Sequence, residues 1–132
     1  KQIMLNKLFI FGVILCLVSC SQAEEKLSEE LQEKVLGLHD ELMPKTEEIV
    51  SLQAQLDSLS TGKDSVHVNK LKKALAKSDQ AMMDWMHQFS IDSLSKMDVK
   101  AKVEYLGKQY AQLKDLQKLT DSTLHAAKAY RP

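Results

Sequence analysis

The chain has 132 residues, enough for one small domain, with 18 basic and 18 acidic side chains and a formal net charge of zero. Four glycines and two prolines interrupt a composition dominated by Leu, Lys, Glu, Gln, Ala and Ser, which points to long helices. A near-neutral chain without a basic block gives no electrostatic case for a nucleic-acid partner.

Residues 1–19 read as a signal peptide. Lys1 and Lys7 supply positive charge, and Leu8 to Val18 is apolar apart from Gly12 and Cys16. That run is about 11 residues, short of the ~20 that a helix needs to span a bilayer. The first Met is Met4, a plausible translation start. Leu17-Val18-Ser19-Cys20 resembles the bacterial lipobox. The resemblance implies diacylglyceryl attachment to the Cys20 thiol, cleavage before Cys20 and acylation of the new amine. Several acyl chains together give stable membrane anchoring where one does not. The expected location is therefore the bacterial cell envelope, lipid-anchored at the outer membrane on its periplasmic or surface side.

Cleavage would remove Cys16 and acylation would occupy Cys20, leaving no free thiol for disulfides, thiolate metal sites or nucleophilic catalysis. It would also remove Lys1 and Lys7, leaving 16 bases against 18 acids, a net charge of −2.

Residues 20–26 are expected to form a lipidated tether, and 27–130 the folded domain. Apolar residues recur at Leu27, Leu31, Val35, Leu38, Leu42, Ile49, Leu52, Leu56 and Leu59, with Lys45 taking one beat. These steps of three and four predict a first helix over about 25–60. A second row, Leu36, Met43 and Val50, lies to one side of that stripe, so the helix should touch two neighbours. Pro44 predicts a kink rather than a break, because the apolar phase is the same before and after it.

Ser60-Thr61-Gly62-Lys63-Asp64 reads as a turn, with Gly62 past the helix end and Asp64 or Ser65 capping the next helix. The second predicted helix covers about 65–89. Its stripe is Val68, Leu71, Leu75, Met82, Trp85, Met86 and Phe89, with Ser78 on one beat. Ser90 to Leu94 is the second connection, and Ser95-Lys96-Met97-Asp98 fits a capping box. The third predicted helix covers about 96–128 along Val99, Val103, Leu106, Tyr110, Leu113, Leu116 and Leu124. No strand-like alternation occurs. The expected fold is all-α: an antiparallel up-down-up three-helix bundle with long coiled-coil-like helices, behind a lipoprotein signal peptide.

Five methionines follow the leader, and three of them stand in Met82-Met83-Asp84-Trp85-Met86-His87 with the single Trp. A tight turn near Gly62 brings Met43 level with Met82 and His39 with Met86. A second turn near Asp92-Ser93 would set Met86 near Val99. Thioethers are soft ligands that select Cu(I), and imidazole also suits copper. His39, Met43, Met83, Met86 and His87 are the candidate Cu(I) ligands; His39 and Met43, Met82 and Met86, and Met83 and His87 are pairs one helical turn apart. Haem with Met/His ligation is a lesser alternative. Against both stands ordinary packing: methionine fills irregular gaps, such as one beside Pro44, and packs well on Trp. A third reading is an adaptable contact surface for an envelope protein partner, formed by Leu36, Met43, Met83 and His87.

No phosphate-binding Gly-rich loop, His-Glu-x-x-His or Ser/His/Asp arrangement is present, and no enzymatic activity is expected. The segments Leu17–Cys20, His39-Asp40-Glu41-Leu42-Met43-Pro44, Ala81–His87 and Tyr105-Leu106 resemble a group of small Bacteroidota lipoproteins, some carrying the label "viral A-type inclusion protein". That resemblance implies a lipid-anchored helical domain and carries no activity with it. The leading expectation is a structural or protein-interaction module, with Cu(I) binding as the alternative.

Overall fold

Long stretches without Gly or Pro, filled with good helix formers, leave the backbone little alternative to helix. The computed structural model describes the backbone of residues 2–59 and 64–130, and side chains within 22–58 and 64–130. Among these residues the chain is all-helical: α1 is Gln2–Leu59, α2 Ser65–Gln88, α3 Ile91–Leu94 and α4 Val99–Ala129. Each of the three long helices packs against the other two. Among the described residues no helix is long and apolar enough to cross a membrane.

α1 runs through Pro44 without a break, as the unchanged apolar phase required. It does not begin at residue 25, however, and residues 22–26 are helix rather than tether. The reason is local: no Gly or Pro stands between Gly12 and Gly37, and Ala23, Glu24, Glu25 and Lys26 favour helix. Ser28 donates back to the Glu25 carbonyl at 2.8 Å, a bond made inside a helix rather than at its start. The expected turn at Ser60–Lys63, with Gly62, lies outside the described residues, as do the side chains of Leu17–Cys20.

α2 agrees with its predicted bounds to one residue at its end. Asp64 holds its N-cap position, but its carboxylate makes no capping hydrogen bond. The connection that follows is more structured than the sequence indicated. Ile91–Leu94 forms a single helical turn, α3, whose Leu94 is buried against the core. Tyr105 from α4 accepts a hydrogen bond from the Ser90 amide at 3.1 Å and ties this turn down. Ser95 ends α3 and does not cap α4. The cap is Asp98, whose side chain accepts from the Ala101 amide at 2.8 Å.

This extra turn changes the expected pairing of α2 with α4. Phe89 stacks near Tyr105, with ring centroids 6.2 Å apart, where a tight connection would have set residue 96. Ser78 meets Thr120, and His67 meets Tyr130. Between α1 and α2 the expected level holds, because His39 lies against Trp85 and Asp57 pairs with Lys72.

The core has two apolar parts. One joins Val35, Leu38 and Leu42 to Met82, Trp85, Leu94, Leu106, Leu113 and Leu116. The other joins Ile49 and Leu56 to Val68, Leu71, Leu75, Leu124 and Ala127. Leu27, first on the α1 stripe, is 42% exposed, so the stripe starts before its partners reach it.

Candidate functional site

The centre of the Met/Trp/His region is Trp85, which is 7% exposed and sits where all three long helices meet. Its ring stacks on Phe89, centroids 4.9 Å apart and planes within 11°. The His39 ring lies on it from α1 at 5.6 Å. With Tyr105 beyond Phe89, an aromatic row runs from α1 through α2 to α4. Offset and tilted ring pairs of this kind add about 0.5–1.5 kcal/mol each beyond the area they bury.

The methionines divide by burial. Met82 is almost fully buried and Met86 and Met97 pack against the same cluster. Met43 is half-buried, and Met83 is 40% exposed. His87 is exposed in the last turn of α2. Of the five candidate ligands, His39 and Met86 are thus tied to the core around Trp85. Met43, half-buried, and Met83 and His87, both exposed, lie outside that packed cluster. His39 Nδ1 is 3.0 Å from Asp40 Oδ1, which in the neutral ring makes Nδ1–H the donor and leaves Nε2 with its lone pair free.

Among the described residues no three His, Cys, Asp or Glu side chains converge as a metal-binding group. The candidate donors His39, Met43, Met83 and Met86 are three thioethers and one imidazole, a soft set.

The two seams of α1 differ in character. Toward α4 it is laced with polar bridges. Lys45 reaches Asp121 at 2.8 Å and Glu41 at 3.3 Å, Gln117 donates to Glu41 at 2.9 Å, and Lys128 pairs with Glu48 at 2.7 Å. Toward α2, Leu36 and Met43 are half-buried and Val50 is 54% exposed. The i, i+7, i+14 spacing keeps all three on one side of α1, and antiparallel register from the His39–Trp85 contact sets Met43 within about a turn of the level of Met83.

A groove of about 330 Å³ opens between α2 and α4, with Ala81, Trp85 and Leu119 among its lining residues and Asp84, Gln112 and Asp115 beside them. Among the described residues, two buried side-chain atoms have no hydrogen-bond partner, Trp85 Nε1 and Gln109 Oε1.

Sequence reasoning did not find Tyr105 as the end of the aromatic row, or Gln109 and Thr120 as core residues. The signal was present for the last two. Gln109 falls between Leu106 and Leu113, and Thr120 between Leu116 and Leu124, at the spacing of a core stripe. Compared with protein families, curated proteins and solved structures, the chain matches none of them.

Proposed function

We propose that this protein is a lipid-anchored helical module of the bacterial cell envelope, without catalytic activity, that binds a partner helix along the α1–α2 seam. The anchor is Cys20, acylated after removal of residues 1–19. The three long helices form an up-down-up bundle. The side-chain pairs support that topology: from His39 to Asp57 along α1, the α2 partners fall from Trp85 to Lys72. From Glu41 to Glu48, the α4 partners rise from Gln117 to Lys128.

The observation that carries the binding reading is the strip Leu36, Met43, Val50 and Met83. Val50 and Met83 are 54% and 40% exposed, while the opposite seam of α1 is closed by charged bridges. A heptad-spaced apolar row beside a core stripe is what an added amphipathic helix reads. Methionine gives such a surface side chains that can repack against it.

Photo-crosslinking in intact cells tests this. A photoreactive residue at position 50 or 83 should yield one discrete adduct, and the same residue at Lys108 or His125 should not. Val50→Lys should abolish the adduct formed from position 83. Equal labelling at all four positions, or none, would overturn the reading. The anchor is tested by mass: Cys20→Ala should leave the leader uncleaved and the chain unacylated.

A further inference from the structure

We propose that His39, Met43, Met83 and Met86 form a Cu(I) site across the α1–α2 seam. The proposal stands apart from partner binding, although Met43 and Met83 belong to both. It begins with helix geometry. His39 and Met43 are one turn apart on α1, and Met83 and Met86 are three residues apart on α2, so each pair shares one face of its helix. The His39–Trp85 contact at 5.6 Å fixes the level at which the two pairs meet. Met86, next in chain to Trp85, is packed at the edge of the core there, and antiparallel register brings Met43 and Met83 within about a turn of that level.

The chemistry of the donors selects the metal. Thioether sulfur binds soft ions and holds Cu(I) without losing a proton, and one imidazole completes a three- or four-coordinate site. Asp40 is the outer support. Its carboxylate, 3.0 Å from His39 Nδ1, keeps the proton on that nitrogen and leaves Nε2 to bind. Graded exposure suits capture of an ion from solution. Met83 is 40% exposed and offers entry, Met43 and His39 are half-buried, and Met86 sits against the core. His87, exposed in the last turn of α2, is left out of the set.

Trp85 is the only tryptophan, and its contact with His39 makes it a built-in reporter. The full chain is titrated anaerobically with Cu(I) against a chromogenic chelator, and in parallel with Ag(I), a redox-inert soft ion. One equivalent should be withdrawn from the chelator at micromolar copper, with quenching of Trp85 emission. Asp40→Ala should weaken binding about 10-fold, and a Met43→Leu, Met83→Leu, Met86→Leu variant by more than the roughly 100-fold that an outer-shell loss costs. Leucine conserves volume and apolar character, so the fold should survive in that variant, and circular dichroism checks it. No competition at micromolar copper overturns the proposal. So does binding that the triple variant retains, or stoichiometric binding that leaves Trp85 emission unchanged.

Discussion

The Ser78 and Thr120 hydroxyls meet at 2.9 Å inside the core, between α2 and α4. Both are almost fully buried, at 1% and 3% exposure. Lys45 occupies the same level on α1, between the core residues Leu42 and Ile49, and bridges to Asp121 beside Thr120. All three long helices therefore give up one apolar beat at the same height, and this polar layer divides the two apolar parts of the core. Polar groups placed this way penalise slipped registers, because any slip buries a hydroxyl without its partner.

The first prediction follows from that pairing. Ser78→Ala should cost about 1–2 kcal/mol, since Thr120 is left buried without its partner. The double variant Ser78→Ala, Thr120→Val should cost less than the sum of the two single changes, with a coupling of about 1 kcal/mol. Urea unfolding of the four proteins measures it. Strict additivity would show that the hydrogen bond contributes nothing.

A second prediction concerns pH. The hydrogen bond from Lys45 to Asp121 raises the lysine pKa above its ordinary value of 10.5; partial burial opposes the rise and the bond to Glu41 adds to it. A raised folded-state pKa means that the charged lysine stabilises the fold fully below the unfolded pKa and ceases to do so as pH climbs through the folded value. The side chain remains 27% exposed, so the effect is screened by solvent. Lys45→Gln should therefore lower stability by at most about 1 kcal/mol, evenly below about pH 10, and the deficit should shrink in more alkaline solution. Unfolding curves at neutral and strongly alkaline pH check the sign; a deficit that grows with pH would refute it.

Gln109 gives a change expected to stabilise. It is 6% exposed on the α4 core stripe, and its Oε1 has no hydrogen-bond partner. Gln109→Leu removes that buried acceptor and should raise stability by about 1 kcal/mol. A rise in thermal midpoint confirms this, and a fall would mean that the carboxamide is worth more than its apolar replacement.

The start of α4 distinguishes Asp98, which caps the helix, from Ser95, which does not. Asp98→Ala should cost about 1 kcal/mol because it strips the cap from the Ala101 amide. Ser95→Ala should cost less, since the Ser95 hydroxyl only bonds back to the Asp92 carbonyl on an exposed turn. Denaturation midpoints of the two variants rank them directly.

These cases also show what could be read from residue order. The stripes Val35–Leu42, Val68–Trp85 and Leu106–Leu124 announce three long helices, because period and burial agree along them. The polar beats at Lys45 and Ser78 were visible as gaps in those stripes, but their meeting in one layer depends on tertiary register. The α2–α4 register was not legible. It rests on α3, a helix of four residues held by the burial of Leu94 and the Ser90–Tyr105 hydrogen bond, neither of which has a local signature. In the candidate site, the association of His39 with the Trp85 region followed from the length of the first turn. The different exposures of Met82, Met83 and Met86 separate neighbours in sequence and needed the packed helices.

The continuity of α1 bears on how the protein stands at a membrane. From Gln22 to Met43 the chain is helix throughout, spanning about 31 Å at 1.5 Å per residue. In the proposed anchored form, this segment acts as a stiff post rather than a leash. A leash would let the α1–α2 seam sweep a volume and meet partners at many heights. A post presents Met43, Val50 and Met83 at one height and in one orientation about the α1 axis, so lengthening the segment by two residues would turn the seam away by about 200° while raising it by only about 3 Å.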